Sequence, residues 1–485
     1  MNKNKKIVII TIISLIVLTG IYLLYNTYAL TTKTTNNGDY YTINLTDSNI
    51  VSLKANEEKT VICQINNTNN GTVSYGVAYN NSNIEVKVYS DSKDKATGTI
   101  GANDNKYIKL HLKNKTSSNT TVEITAVMGY ENGGDLIVPS DSTLVTGTYT
   151  APISLAKYIT NLYTNASKST VTNNSITYNY ATSESLMNDR LGGTTSSLDG
   201  GNIRYYGASP NNYVYFNCDS YPSTNCELWR IIGVFDGKLK LMRNEIIGAY
   251  SWDKSASSVN SGNGVNEWSQ ADLMKLLNPG HESESVGGSL YYNNKSGTCY
   301  NNSNNGTTSC NFTSTGIKND TTRNMIAETT WNLGGWDTSK IFSNVMYEKE
   351  RGTTTVSNPS DGITRATTWT GKIALPYPSD YGYATDLSKC SQTLFNYDSS
   401  TDSYACRSND WMYPIITNSG SIIGWLLTPH SGYAYYAFYV TSAGFVGNNS
   451  YVYNAHGVAP VLYLGSNQNI VAGDGSQSNP YQLKA

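Results

Sequence analysis

An apolar run near the N-terminus is the first pattern in the chain. Three lysines lie among the first six residues, and residues 7–24 are then uncharged and mostly apolar. A bilayer is spanned by about 20 such residues, and flanking lysines favour the cytoplasmic side. Residues 1–30 are therefore predicted to form a cytoplasmic tip and a transmembrane helix that acts as a signal anchor. A signal peptide cleaved near Thr27-Tyr28-Ala29 is the alternative, and both place the remaining chain outside the cytoplasm.

Residues 38–150 alternate apolar and polar positions with a period of two. Turn-forming clusters such as Asn69-Asn70-Gly71 separate the alternating segments. The predicted strands are residues 40–45, 60–65, 73–79, 84–89, 107–112 and 122–130. Several short strands at this spacing predict an all-β immunoglobulin-like sandwich, which we interpret as a stalk. A binding role for this module is the alternative.

The pattern changes after residue 150. Leu155, Ile159 and Leu162 lie at helical spacing, which predicts a short helix. The stretch that follows is rich in Gly, Ser, Thr and Asn and is expected to be irregular. Residues 151–201 are therefore predicted to be a helix and a flexible linker.

Residues 202–485 mix strand patterns with two helical segments. Asp236-Gly237 separates two apolar segments and predicts a β-hairpin. Helices are predicted over residues 269–277, which precede Asn278-Pro279-Gly280, and over residues 320–330. Only short strands are predicted after them, so this part of the chain is expected to be α+β.

Six of the seven cysteines fall into three local pairs. The pairs are Cys218 with Cys226, Cys299 with Cys310, and Cys390 with Cys406. In an exported chain this arrangement predicts three disulfides. A zinc site is the weaker interpretation, because no C-x-x-C spacing occurs and the four histidines are scattered. Cys63 lies in an alternating segment and is predicted to be a buried thiol.

The composition argues against nucleic-acid binding and favours a recognition surface rich in tyrosine. The formal net charge is -2 and only 14% of the residues are charged, which supplies no basic surface for nucleic acid. The chain has 39 tyrosines against 7 phenylalanines. Tyrosine suits β-structure and wet recognition surfaces, because it combines a rigid ring with a hydroxyl group.

Five segments of the second half carry a family resemblance. They are residues 202–214 (NIRYYGASPNNYV), 226–233 (CELWRIIG), 378–384 (PSDYGYA), 425–429 (WLLTP) and 457–464 (GVAPVLYL). In this order they resemble bacterial surface and prophage proteins with a C-type-lectin-like domain, related in shape to the formylglycine-generating-enzyme fold. The resemblance covers residues 150–485. That family usually has Arg where Ala459 stands, so the buried polar contact of that Arg is expected to be absent.

The resemblance implies a C-type-lectin-like ligand-binding domain over residues 202–485. Some members of the family are targets of diversity-generating retroelements, which rewrite adenines in the asparagine codons of a C-terminal repeat. Such a domain is a fixed scaffold that displays changeable side chains. Residues 428–464 contain no Asp, Glu, Lys, Arg, Gln, Met or Trp, which is compatible with this history.

An aromatic residue followed by valine recurs near the C-terminus, at Tyr439, Phe445 and Tyr451. Strand alternation is expected to bury the valines and to expose the aromatic rings, while nearby asparagines lie at turns with free amides. The predicted ligand-binding residues are Tyr433, Tyr435, Tyr436, Tyr439, Phe445, Asn448, Asn449, Tyr451, Tyr453, Asn454 and His456. Such a neutral surface suits a protein or a glycan. The alternative is that these tyrosines only cover a sheet.

Neither a metal site nor a catalytic site is predicted. His430 and His456 bracket the tyrosine-rich segment, but no carboxylate lies between them to complete a metal site. Calcium is the alternative ligand, but the spacing of the upstream aspartates predicts no binding loop; they are Asp380, Asp386, Asp398, Asp402 and Asp410. No nucleophile motif is present, and the reactive cysteines of a formylglycine-generating type of enzyme are consumed by the local pairing.

Together these patterns predict a single-pass cell-membrane protein whose C-terminal bulk is extracellular. Residues 7–24 are expected to anchor it in the membrane. It is expected to bind a protein or glycan outside the cell, as an adhesin or receptor-like protein, and to need no cofactor. It is not expected to be an enzyme or to bind nucleic acid. A structural cell-surface or pilus-like protein without a dedicated ligand is the alternative.

Overall fold

The computed structural model describes residues 27–36, 40–45, 50–67, 72–88, 96–130, 143–144, 153–190, 201–255, 260–357, 359–397 and 401–484. The chain divides into two units, Met1–Pro152 and Ile153–Ala485. Hydrophobic core residues fall into separate clusters in the two units.

The described part of the first unit consists of strands. They are β1 Thr27–Asn36, β2 Tyr40–Leu45, β3 Ile50–Leu53, β4 Glu58–Asn66, β5 Val73–Tyr79, β6 Ile84–Val88, β7 Thr97–Ile100, β8 Asn105–Asn114, β9 Thr120–Tyr130 and β10 Thr143–Leu144. They pair in the order β10-β5-β9-β2-β1-β4-β8-β6, with β3 on β9 and β7 on β5. The six strands predicted from the alternation are all present. The finer assignment to an immunoglobulin-like sandwich stays a prediction.

The apolar residues of the alternating segments form the core of this unit. Ile108, Leu110 and Leu112 on β8 are fully buried, and Val61 and Cys63 on the neighbouring β4 join them. Cys63 is the free thiol that the alternation predicted to be buried. Burial raises the pKa of this thiol to about 12, so it remains protonated and unreactive at neutral pH.

The second unit contains β-strands and short helices. Its strands are β11 Ser169–Asn173, β12 Ile176–Ala181, β13 Leu186–Asn188, β14 Ile203–Tyr205, β15 Tyr213–Phe216, β16 Glu227–Phe235, β17 Lys238–Arg243, β18 Ala249–Ser251, β19 Ser296–Tyr300, β20 Thr307–Asn311, β21 Thr329–Asn332, β22 Thr368–Gly371, β23 Ile373–Ala374, β24 Gly424–Pro429, β25 Tyr436–Val440, β26 Val446–Tyr451, β27 Ala455–Gly457, β28 Val461–Leu464, β29 Ile470–Ala472 and β30 Gln482–Leu483. Its α-helices are α1 Leu155–Asn165, α2 Asp272–Leu277, α3 Asp320–Met325, α4 Ser343–Glu350, α5 Pro378–Ala384, α6 Thr401–Ser408 and α7 Tyr413–Ile416. Single 3-10 turns lie at Thr182–Glu184, Asn260–Gly262, Trp268–Gln270 and Leu394–Asn396.

Two sheets organise this unit. A nine-stranded sheet has the order β11-β12-β13-β14-β16-β17-β28-β23, with β15 on β16, and a five-stranded sheet has the order β18-β27-β24-β25-β26. The predicted hairpin joins β16 to β17, and both turn residues, Asp236 and Gly237, have positive φ (47° and 74°). These angles are those of a hairpin turn that favours Asp-Gly.

One predicted helix is confirmed, and the others differ from the structure. The helix at Leu155–Asn165 is confirmed, and the Ser154 hydroxyl accepts a hydrogen bond from the Lys157 amide at its start. The segment predicted over 269–277 is a 3-10 turn followed by α2. The helix predicted over 320–330 ends at Met325, and the strand β21 begins at Thr329. Helices α4 to α7 were not predicted. Every residue of α5 is buried, including its polar ones. Its sequence therefore lacks the apolar and polar faces by which a surface helix is recognised.

The stretch after helix α1, which was expected to be irregular, contains strands in the residues that the structure describes. Strands β11, β12 and β13 in this stretch join the nine-stranded sheet. Tyr178 and Tyr180 on β12 are 1% exposed and pack with Tyr206 and Tyr383 in a small separate cluster. Tyrosine therefore supplies much of the buried apolar surface in this segment, together with Leu186 and Met187.

The predicted fold class needs correction. The described residues are mostly β-sheet with few helices, and none of those helices is long and apolar enough to cross a membrane. The helix Leu155–Asn165 has 11 residues, about half of what a bilayer requires. The transmembrane helix is thus not supported, and residues 7–24, to which it was assigned, lie outside the described residues.

Three disulfides join the cysteines in the predicted local pairs. They are Cys218–Cys226, Cys299–Cys310 and Cys390–Cys406. Disulfides persist in oxidising compartments and are rare in the cytosol. The three bonds indicate that the protein is extracytoplasmic.

A buried ion network ties the nine-stranded sheet to helix α5. The Arg204 guanidinium donates to Asp189 (2.6 Å) and to Asp380 (2.9 Å), and the Lys240 ammonium donates to Asp380 at 2.5 Å. These four side chains are at most 1% exposed. Burial lowers the pKa of Lys240 to about 8, with Asp380 opposing the shift.

Candidate functional site

The edge of the five-stranded sheet supports the tyrosine-rich segment. Strand β24 is buried at every residue and pairs with β25, which pairs with β26. Val440, Val446 and Val452 are 0% exposed. The predicted inward direction of the three valines is confirmed, and it leaves the opposite side of β25 and β26 for aromatic rings.

Five tyrosines meet at this place, and we call them the tyrosine cluster: Tyr433, Tyr435, Tyr436, Tyr451 and Tyr453. Their rings are 4.8 to 5.9 Å apart between centroids. Tyr451 is stacked between Tyr435 and Tyr453, with interplanar angles of 9° and 18°. Tyr433 is 50% exposed, and the other four are half-buried. The cluster is a continuous aromatic surface whose rings fix one another.

A β-bulge explains which tyrosines reach the surface. The register of β25 with its neighbours shifts between Ala437 and Tyr439, and both Ala437 and Phe438 are buried. Tyr436 and Tyr439 are three residues apart and both remain half-exposed. A strict period of two would send them to opposite faces.

The phenol groups interact with one another and with Asn449. Interaction with the neighbouring Tyr451 hydroxyl raises the pKa of the Tyr436 hydroxyl. The Tyr439 hydroxyl donates to the Asn449 Oδ1 at 2.9 Å. Its ring lies over Gly447, where an added Cβ would stand 2.2 Å from the ring. The cluster offers both ring surfaces and hydroxyl groups.

The asparagines are placed differently from the prediction. Asn448 and Asn449 lie within strand β26 and not at a turn, whereas Asn454 lies at a bend. The amide of Asn448 donates to the Asp337 carbonyl (2.7 Å), and the amide of Asn454 donates to the Ser450 hydroxyl (3.1 Å). Both amides are therefore engaged within the protein, and Asn449 is the exposed one of the three.

Phe445 lies apart from the tyrosine cluster. Its ring packs against Phe395, with centroids 5.5 Å apart. Phe395 is 37% exposed and was not predicted as a site residue. Nothing in the sequence marks it, because it lies 50 positions before its partner.

The two histidines that bracket the segment are both buried. His456 bonds to the Ser450 hydroxyl (2.7 Å) and packs on Trp425, and burial lowers its pKa to about 4. The Nδ1 of His430 accepts from the Gly432 amide (2.8 Å), and burial lowers its pKa. His456 therefore lies under the surface and not on it. In the part of the chain that the structure describes, no group of three or more His, Cys, Asp or Glu side chains is arranged to hold a metal ion.

A polar pocket of about 380 Å³ was not foreseen. Asp253 and Asp272 line it together with Lys254 and Lys275. Burial, and the nearby Asp272, raise the pKa of Asp253. The two lysine ammonium groups lie 3.8 and 3.7 Å from Asp272. The aspartates are 19 positions apart in sequence without a motif, and their carboxylates also accept the backbone amides of Val265 and Lys254.

Comparisons with known proteins are sparse. No family model matches the chain, and no curated protein matches it. One solved structure that is matched is PliG of Salmonella Typhimurium, a periplasmic lysozyme inhibitor of g-type lysozyme. It is 10% identical with a TM-score of 0.14, and the match covers 21% of this chain and 97% of that one. A similarity this low carries no conclusion about fold or function.

Proposed function

We propose that this chain is an extracytoplasmic binding protein, adhesin-like or receptor-like, that recognises its ligand with the tyrosine cluster. The supporting observation is the contact of five tyrosine rings at the edge of one sheet, none of them buried. Scattered exposed aromatics are common, but contiguous ones mark interaction surfaces. Tyrosine is also enriched among the residues that dominate binding energies.

The surroundings of the cluster support recognition over a purely structural role. Buried valines and the buried strand β24 fix the backbone beneath it. A surface held in this way loses little conformational entropy when a ligand binds. Residues 428–464 carry no charged side chain apart from the titratable histidines, so ring contacts and hydroxyl groups provide the attraction.

Binding assays on the full chain test the proposal. The probes are an immobilised glycan array and a panel of purified extracellular and envelope proteins. The variant carries Tyr435→Ala, Tyr451→Ala and Tyr453→Ala, and the matched control carries Tyr107→Ala, a tyrosine of the first unit that is 52% exposed. We expect saturable binding that weakens at least about tenfold in the variant, with an unchanged melting temperature. A variant that loses stability and binds as before would favour a structural cell-surface protein instead.

The proposal includes membership of the C-type-lectin-like surface proteins. The five ordered segments over residues 202–464 support it. The DNA downstream tests whether the segment is diversified. A near-copy of the codons for residues 428–464, differing at adenines and lying beside a reverse-transcriptase gene, is the expected result. Without such a copy, the surface is fixed.

A further inference from the structure

We infer that the recognition surface extends along strand β26 to a second aromatic site, formed by Phe395 and Phe445, and that its ligand is a protein that contacts both sites at once. This inference rests on the proposed function, because it assigns a ligand class to the same surface. It adds residues outside the C-terminal segment that carries the tyrosines.

The second site is apolar and accessible. The Phe395 and Phe445 rings are 5.5 Å apart, and Phe395 is 37% exposed. The Lys340 ammonium lies 5.1 Å from the Phe395 ring centroid. Phenylalanine cannot form a hydrogen bond through its side chain, so covering its exposed surface stabilises a complex by the hydrophobic effect.

Strand β26 connects the two sites. Phe445 directly precedes this strand and Tyr451 ends it. Phe445 and Tyr451 are both partly exposed, whereas Val446 and Ser450 are buried, so the two aromatic side chains lie on the solvent-facing side of the strand. At about 3.3 Å per residue, the two sites lie roughly 20 Å apart. Asn449, which is exposed, lies between them.

A second segment runs beside β26 and joins the same two sites. The Ser431 amide donates to the Trp336 carbonyl (3.0 Å) near the tyrosine cluster, and the Phe395 amide donates to the Ser339 carbonyl (2.9 Å) at the other end. Between them, the Asn448 amide holds the Asp337 carbonyl at 2.7 Å. These three hydrogen bonds, two between backbone groups and one from the Asn448 side chain, hold residues 336–339 beside β26 between the two aromatic sites.

The dimensions and chemistry favour a protein ligand over a glycan. Two aromatic sites about 20 Å apart with polar groups between them match the aromatic anchors and polar surroundings of a protein interface, which covers about 800 Å² on each partner. A glycan presents hydroxyls that lose water on binding and need new hydrogen bonds. Phe395 and Phe445 cannot supply those bonds. Asp337 and Lys340 are both exposed and add one charge of each sign, as a mixed protein surface would require.

Affinity measurements on the full chain separate the two sites. Phe395→Ser and Tyr451→Ala each remove one site, and Ile50→Ser in the first unit, where Ile50 is 54% exposed, is the matched control. For a protein bound from the panel of purified extracellular and envelope proteins, we expect each site variant to raise Kd at least about tenfold. The control should leave Kd within about twofold, and all three variants should keep the melting temperature of the parent chain.

A variant that carries both Phe395→Ser and Tyr451→Ala tests whether the ligand contacts both sites at once. Sites separated by more than about 10 Å act independently, so the two increases in Kd should multiply. Unchanged affinity in Phe395→Ser with weakened affinity in Tyr451→Ala would overturn the inference and leave the proposed function standing. Binding confined to the glycan array would do the same. Loss of affinity in neither variant, or in Phe395→Ser alone, would overturn both.

Discussion

In the interior of the second unit, two cationic and two carboxylate side chains form one buried ion network. Lys240 and Arg204 share Asp380, and all three are buried. Removing one partner leaves an uncompensated charge in the core, so we expect Lys240→Ala to lower the free energy of unfolding by about 3–5 kcal/mol. Urea denaturation measures this. Lys87→Ala is the control, because that lysine is 62% exposed in its pair with Glu85 and should leave the urea midpoint unchanged. Equal stability of the two variants would contradict the role of the network.

We expect His456 to make the folded state less stable in acid. Its pKa is about 4 in the folded protein, against 6.5 for a solvated histidine. The unfolded chain therefore binds a proton in this range that the folded chain does not. The resulting stability is complete above about pH 6.5 and is lost as the pH falls to about 4. We expect His456→Gln to reduce this decline, measured by thermal melts at several pH values. An identical decline in the variant would assign it to other groups.

Residue-level prediction from sequence succeeded where burial alone decides the outcome. The three valines and Cys63 are buried as their alternation indicated. The free amides were not predictable, because Asn448 is engaged by the carbonyl of Asp337, 111 positions away. A side chain's hydrogen-bond partner depends on packing between distant segments, so the local sequence pattern does not predict it.

Elements of secondary structure show a similar division. Hairpins with strong turn residues, such as β16 and β17, follow from local sequence. The bulge in β25 does not, because it depends on register with both neighbouring strands. Helix α5 escaped detection because it is buried on all sides. The bulge leaves both Tyr436 and Tyr439 partly exposed, which a strict period of two does not predict.

The hairpin of β19 and β20 gives a prediction at the scale of elements. Cys299 and Cys310 join its two strands and are 0% and 4% exposed. Replacing both with serine removes a cross-link and places hydroxyls in the core. We expect a loss of about 2–5 kcal/mol in unfolding free energy, measured by urea denaturation. Measuring the parent chain with and without reductant controls for the remaining disulfides. An unchanged midpoint in the variant would mean that the hairpin contributes nothing to the fold.

At the scale of the whole molecule, each unit has its own core. The hydrophobic clusters of the two units share no residue, and the one free cysteine of the chain belongs to the first unit. We expect residues 153–485 to unfold cooperatively on their own. In denaturant without reductant, a thiol reagent should label one cysteine in the full chain and none in residues 153–485. Two or more labelled cysteines would contradict the disulfide pairing.

Less of the extended recognition surface than of the fold could be predicted from the sequence. The tyrosines and Phe445 lie within one segment, and their repeat is visible in the sequence. Phe395 and Asp337 reach the same surface from 50 or more positions upstream. Surfaces assembled from distant segments are defined by tertiary packing, so only the part contributed by the C-terminal segment could be predicted.

Mass-spectrometric footprinting of tyrosines, free and in complex with the bound protein or glycan from the binding panels, tests the central claim most directly. In the free chain we expect Tyr433, Tyr435, Tyr451 and Tyr453 to be labelled, while Tyr178, which is 1% exposed, stays unlabelled. In the complex the four labelled tyrosines should become protected, and Tyr107 should be labelled as before. Protection elsewhere with unchanged labelling of these four would contradict recognition by the tyrosine cluster.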